Sequence, residues 1–144
     1  MTPPRPVLRI LWSLHRGLRR VTGGRIGTRR ATGEGLGTLF LHTIGRKSGQ
    51  SRTNGLFYIV DGQDLIVVAS NAGDTTDPAW ALNLRAQPAA DVEIGGERRS
   101  VYAREASAEE VSRLWPRLVA ANADYDAYRA TAGRRIPVFI LEPR

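Results

Sequence analysis

The chain has 144 residues, 42% of them hydrophobic, and a formal net charge of +7. That size suits one domain with its own core. With no cysteine and only His15 and His42 as histidines, it excludes disulfides and thiolate-held metal centres, and no metal site is expected.

The charge is unevenly placed. Residues 1–33 carry eight Arg and no acid, whereas residues 34–144 hold 13 basic and 14 acidic residues, a net of about −1. After Pro3, Pro4 and Pro6, the apolar residues Val7, Ile10, Leu11, Leu14, Leu18 and Val21 recur at helical spacing. Arg9, Arg16, Arg19 and Arg20 lie mostly off that stripe, and Gly23-Gly24 ends it. The pattern predicts a basic amphipathic helix within an N-terminal arm, residues 1–33, ahead of a folded domain, residues 34–144. Two readings stay open for the helix. It serves as a membrane-surface anchor or a flap over a site, or it packs on the domain with a solvated arginine face. Arginines interrupt the linear apolar run and no small-residue cleavage site follows, so a secretory signal fits poorly, and no apolar run reaches the roughly 20 residues that span a bilayer. Because the excess charge sits in the arm, the folded part is near neutral and aromatic residues do not interleave with its basic ones as stacking platforms would, so no nucleic-acid partner is expected.

Beyond Gly33-Glu34-Gly35-Leu36-Gly37, which lacks the last glycine of a dinucleotide fingerprint, the period becomes that of strands. Residues 38–44 read as a strand. Residues 53–60 and 64–70 read as two more, joined by the hairpin signal Asp61-Gly62. The unbroken apolar run Leu65-Ile66-Val67-Val68 predicts a strand buried on both faces. Asp77-Pro78 predicts a helix start, with Asp77 as N-cap, running to Arg85 and stopping before Pro88. Residues 90–94 and 99–104 form a hairpin around Gly95-Gly96. Ser107 and Glu110 form a capping box before a helix whose apolar face is Val111, Leu114, Trp115, Leu118 and Val119, with Pro116 inside it. Residues 136–141 close the chain as a strand. Hairpins outnumber strand–helix–strand crossovers, which predicts an antiparallel sheet closed into a small barrel.

The chemistry-bearing stretch is Gly45-Arg46-Lys47-Ser48-Gly49-Gln50-Ser51-Arg52, with three fixed cations, two glycines and no neighbouring acid. Glycine lets the backbone turn and present its N–H groups, and Arg and Lys add charge-assisted donors. That composition suits an anion clamp, and it also suits a solvated basic turn between two strands.

Six stretches occur in order: Gly45-Arg46-Lys47-Ser48-Gly49-Gln50 with Arg52; Val68-Ala69-Ser70-Asn71; Asp77-Pro78-Ala79-Trp80 with Asn83-Leu84; Leu114-Trp115-Pro116; Tyr125 with Tyr128; and Ile136-Pro137-Val138 before Glu142-Pro143. As a set they resemble the deazaflavin-dependent nitroreductase family of actinobacteria. The resemblance implies a mainly β (α+β) fold. That fold is a split β-barrel of about six antiparallel strands, like that of proteins binding flavin mononucleotide, with an N-terminal helix and one or two further helices. It implies coenzyme F420 (8-hydroxy-5-deazaflavin) as cofactor. Arg46, Lys47, Ser48 and Arg52 match positions that hold the coenzyme's phosphodiester and oligoglutamate tail, with Gly49 permitting close approach and Asn54 a further cofactor-binding position. Phe57, Tyr58, Ser70, Asn71, Ala72 and Trp80 would wall the ring. Tyr125, Tyr128 and Ser70 are the implied catalytic group, near the acceptor and able to hold a proton. Three features depart from the family pattern. Asn122 stands where the first member of a tyrosine cluster is usual. Ser51 and Gly55 stand where many relatives have Pro, and Asn71 replaces a Lys found in some. The implied reaction is hydride transfer from the reduced coenzyme to a small electrophilic acceptor, a quinone, an enone or a nitroaromatic. The alternatives are a flavin mononucleotide- or haem-binding barrel and a non-catalytic deazaflavin carrier. The expected location is cytoplasmic, with peripheral contact at the inner face of the membrane through the arm.

Overall fold

The computed structural model describes residues 28–33 and 35–144, so the helix expected over residues 7–21 lies outside the described residues. Six strands form one closed barrel: β1 (Gly37–Ile44), β2 (Ser51–Asp61), β3 (Asp64–Val68), β4 (Ala89–Ile94), β5 (Glu97–Glu105) and β6 (Val138–Pro143). Every neighbouring pair is antiparallel, in the order β1-β2-β3-β6-β5-β4, with β4 returning to β1. Closure leaves no open sheet edge. Among the described residues three α-helices accompany the barrel: α1 (Ala79–Ala86), α2 (Ala108–Ala121) and α3 (Asp124–Ala132). Among the described residues no helix is long and apolar enough to cross a membrane.

Strand alternation divides the core in two. Leu65 and Val67 of β3 point into the barrel with Leu39, Leu41, Val92 and Phe139. Ile66 and Val68 point outward and pack with Ile59, Leu114, Leu118 and Tyr125 under α2 and α3. The apolar run of β3 is thus buried on both faces, as its sequence predicts. Helix α1 contributes Trp80, Ala81 and Leu84 to the inner cluster. Burying each large side chain of this kind contributes about 1.5–3 kcal/mol.

The turns follow their chemistry. Gly62 takes φ +62° between β2 and β3, and Gly95 takes φ +59° between β4 and β5. The Ser107–Glu110 capping box starts α2, with each side chain bonded to the other residue's backbone N–H. The α1 start differs from expectation. Its N-cap is Pro78, and no side chain caps it. Asp77 instead accepts hydrogen bonds from Arg85, at 2.8 Å, and from Arg134. Two guanidinium groups are stronger partners for a carboxylate than one helix N–H. The third strand stops at Val68 and the last begins at Val138, each two residues inside the expected limits, because Pro137 keeps only its carbonyl, which accepts from the Ala69 N–H at 2.9 Å. Residues 28–31 are bonded to the barrel. Arg29 bridges Thr38, Thr28 accepts from the Gly95 N–H, and the Ala31 N–H donates to the Tyr58 hydroxyl.

Candidate active site

The basic turn, residues 45–50, links β1 to β2. Gly45 and Gln50 close it through a 2.8 Å backbone bond, and the Gly49 N–H donates to the Gly45 carbonyl at 2.8 Å. Gly49 takes φ +70°, which favours glycine, and a Cβ on Gly45 would lie 2.6 Å from the Ser48 hydroxyl and force it to move. The turn is tied to α1 by Asn83, which is only 4% exposed. Asn83 accepts from the Arg46 N–H at 3.0 Å and donates to the Thr43 hydroxyl at 3.1 Å. Arg46, Lys47, Ser48, Arg52, Thr53 and Asn54 line a cavity of about 550 Å³. Gly49 shapes the turn without lining that cavity. Arg52 donates to Ser48 at 3.3 Å, and among the described residues no carboxylate pairs with Arg46, Lys47 or Arg52. Behind the wall, Thr53 meets His42 Nδ1 at 2.8 Å, and His42 Nε2 lies 2.6 Å from Glu93.

A second cavity of about 510 Å³ adjoins the first, and Arg46, Asn54 and Ala79 line both. Phe57 of β2, Trp80 of α1, and Tyr125 and Tyr128 of α3 form its aromatic walls. Trp80 is 5% exposed and packs edge-on to Phe139, centroids 5.8 Å apart, so one ring serves core and cavity together. Phe57 is 42% exposed, an apolar side chain left open at the cavity. Tyr58 corrects the expectation for the ring wall. It is 2% exposed within the inner cluster, bonds to the Ala31 N–H at 2.9 Å, and lines neither cavity. Adjacent strand residues face opposite sides, so Phe57 and Tyr58 cannot both face one slot.

Ser70, Asn71 and Ala72 form the remaining wall. Asn71 and Ala72 take φ +48° and +55°, left-handed conformations that cost a non-glycine residue of order 1–3 kcal/mol. The Asn71 amide donates to the Thr76 carbonyl at 3.0 Å. Gly73 follows at φ +83°, where a Cβ would lie 2.5 Å from the Thr131 hydroxyl, so glycine is what lets this loop approach α3. Asn122 and Asp124 stand at the mouth beside the two tyrosines. Burial pushes the Tyr125 phenol above its ordinary pKa, with the Asn122 side chain acting in the opposite direction. Burial, then the negative charge of Asp124, raises Tyr128 too. Both hydroxyls therefore keep their protons through neutral pH.

Among the catalytic and binding residues anticipated from sequence, the two cavities bring together Arg46, Lys47, Ser48, Arg52, Asn54, Phe57, Ser70, Asn71, Ala72, Trp80, Tyr125 and Tyr128. Among the described residues no cluster of His, Asp and Glu could hold a metal. The donor set fits coenzyme F420: unpaired cations suit its anionic tail, and an aromatic slot with hydroxyl and amide groups suits its ring. Arg134, which binds the 69–77 loop, and the anchoring role of Asn83 carried no sequence signal of their own.

The comparisons agree with this chemistry. The pattern of the family described as F420H(2)-dependent quinone reductase matches residues 12–143. A Mycobacterium tuberculosis protein named for that activity is 46% identical over 107 residues, covering 74% of this chain and 90% of its own. An F420H(2)-dependent quinone reductase of M. tuberculosis strain H37Rv is 37% identical over 137 residues, covering 93% of this chain and 91% of its own. The solved structure of an F420-H2 dependent reductase aligns at TM-score 0.67 and 34% identity, covering 73% of this chain and 93% of that one. This chain belongs to the F420H(2)-dependent quinone reductase family, and it is an F420H2-dependent oxidoreductase of barrel fold with coenzyme F420 as its cofactor.

Proposed function

We propose that the protein holds reduced coenzyme F420 across the two joined cavities and directs its hydride to a quinone. The observation that carries this reading is the continuity of a cationic cavity with an aromatic one through Arg46, Asn54 and Ala79. When bound, the reduced deazaflavin supplies a hydride, which suits an electrophilic π-system such as a quinone, an enone or a nitroaromatic. Arg46, Lys47 and Arg52 grip the anionic tail, with the Ser48 hydroxyl among them. Trp80, Phe57 and the 70–72 loop would hold and orient the ring. Tyr125, Tyr128 and Ser70 would present hydroxyl protons toward an acceptor oxygen; the phenols are neutral at ordinary pH, and burial raises both further. The test is oxidation of reduced F420 by the purified protein with menadione. Turnover is expected, with little activity from NADH or NADPH, because the chain lacks a dinucleotide fingerprint. Turnover with the nicotinamides and none with the deazaflavin would contradict the reading.

The arm, residues 1–33, belongs to the same proposal. The six arginines of residues 1–27 favour an anionic bilayer surface at the inner face of the membrane, by about 1 kcal/mol for each Arg near it, and a lipid-soluble quinone would be met there, whereas Arg29 and Arg30 bond to Leu36 and Glu97. Co-sedimentation with anionic liposomes tests this, and a protein that stays in the supernatant removes the membrane role.

A further inference from the structure

Arg134 is used by neither cavity's lining, yet its guanidinium makes six hydrogen bonds. It follows Gly133, which ends α3 at φ +63°, and its side chain is 15% exposed. Its guanidinium lies against the 69–77 loop. Nε donates to the Asp74 carbonyl at 3.0 Å. One terminal nitrogen donates to the carbonyls of Ala69, Ser70 and Thr76, at 3.2, 3.3 and 3.0 Å. The other donates to the Asp77 carboxylate and to the Arg135 carbonyl at 3.3 Å. Four carbonyls and one carboxylate of a single loop thus converge on one cation. The loop so gathered contains the left-handed pair Asn71-Ala72, which lines the second cavity, and Gly73, which touches α3. Helix α3, which ends two residues before Arg134, carries Tyr125 and Tyr128, which line the same cavity.

We propose that Arg134 is a positioning residue for the active site: it imposes the left-handed course of Asn71-Ala72 and fixes that wall relative to the tyrosine helix. The argument is one of competing preferences. Ala72 has no intrinsic reason to adopt positive φ, and a relaxed loop would let it leave. Drawing the flanking carbonyls of Ala69, Ser70, Asp74 and Thr76 to a common point removes the relaxed alternatives. A guanidinium can do this because its donors fan out in a plane, whereas a lysine ammonium is a point charge on a flexible stem. The inference rests on the second cavity being the coenzyme's ring site.

The test compares Arg134→Lys, Ala72→Gly and the double variant with the wild-type protein. Coenzyme F420 binding is read by quenching of tryptophan emission, and amide hydrogen exchange is read in the protein without coenzyme. Lys keeps the charge opposite Asp77, so R134K is expected to keep its fold, with protection at β1 unchanged and exchange at residues 70–77 faster. Its coenzyme dissociation constant should rise about tenfold, which corresponds to about 1.4 kcal/mol. Ala72→Gly alone also alters the cavity wall, so its own dissociation constant is the reference against which the double variant is read. In the R134K background it should recover most of the loss, since glycine takes the left-handed region without strain. A merely structural arginine predicts no such rescue. R134K that binds like wild type, shows unchanged exchange at 70–77, loses its fold outright, or is not rescued by Ala72→Gly overturns the proposal. Wild-type protein that fails to bind F420 overturns the coenzyme reading instead, and the exchange measurement still reports separately whether Arg134 holds the loop.

Discussion

Arginines on two sides of the same cavity system use their donors in opposite ways. In the basic turn, Arg46, Lys47 and Arg52 stand on a glycine-shaped backbone with no carboxylate partner among the described residues, and only Arg52 has a side-chain hydrogen bond, to Ser48. At the 69–77 loop, Arg134 directs its donors into the protein, to backbone carbonyls and Asp77. The first arrangement leaves strong donors for something outside the chain. The second turns a side chain of the same type into part of the scaffold. Residue type alone does not separate the two roles. What separates them is whether the donors already have partners.

The largest expected effect removes the open side of that contrast. Replacing Arg46 and Lys47 together by Ala should leave stability nearly unchanged, because neither side chain is packed or paired. F420 binding should weaken by about 1.5–3 kcal/mol for each charge-assisted hydrogen bond removed, and part of that affinity should return at low salt. Unchanged affinity in the double variant would leave the turn as a solvated hairpin.

Trp80→Ala probes the aromatic side, where binding wall and core share a ring. It should lower stability by about 3–5 kcal/mol in chemical denaturation and remove a wall of the slot. If stability were unaltered, the slot would be independent of the barrel core, and the contrast between an open turn and a built-in slot would fail.

A smaller effect concerns a third use of arginine, away from both cavities. Arg104 grips Glu110 with two bonds of 2.7 and 2.8 Å and holds its carboxyl down at about 2 from an ordinary 4.5. A carboxylate lowered in the folded state stabilises fully above its unfolded pKa. That contribution is lost as pH falls from about 4.5 to about 2. Glu110→Gln keeps a side chain able to complete the capping box with Ser107 but removes the charge. It should flatten this part of the acid unfolding curve, by no more than about 1 kcal/mol for so exposed a pair. An acid limb unaltered by the substitution would show that the pair contributes nothing.

The parts of the fold legible in sequence were those coded by near neighbours. Asp61-Gly62 and Gly95-Gly96 mark hairpins, the β3 run marks a strand between two cores, and Ser107 with Glu110 marks a helix start. The basic turn was legible because its cations and glycines lie within eight residues. Asp77 was misread because a local capping rule lost to Arg85 and to Arg134, which lies 57 residues further along. Tyr58 was misplaced although strand parity with Phe57 argues that only one of them faces the cavity. Asn83 and Arg134 act across 37 to 65 residues of chain, and nothing near either in sequence names its partners.

The central claim is that the two joined cavities divide one ligand, an anionic tail in the turn and a planar ring in the slot. It is tested most directly by titrating wild-type protein and the R46A/K47A variant with coenzyme F420 and with the deazaflavin riboside alone, which lacks the phosphate and glutamates. The account predicts that wild type binds the full coenzyme far more tightly than the riboside, and that the double variant binds the riboside normally while losing most of that preference. Equal affinity of wild type for both ligands, or a preference that survives in the variant, would contradict it.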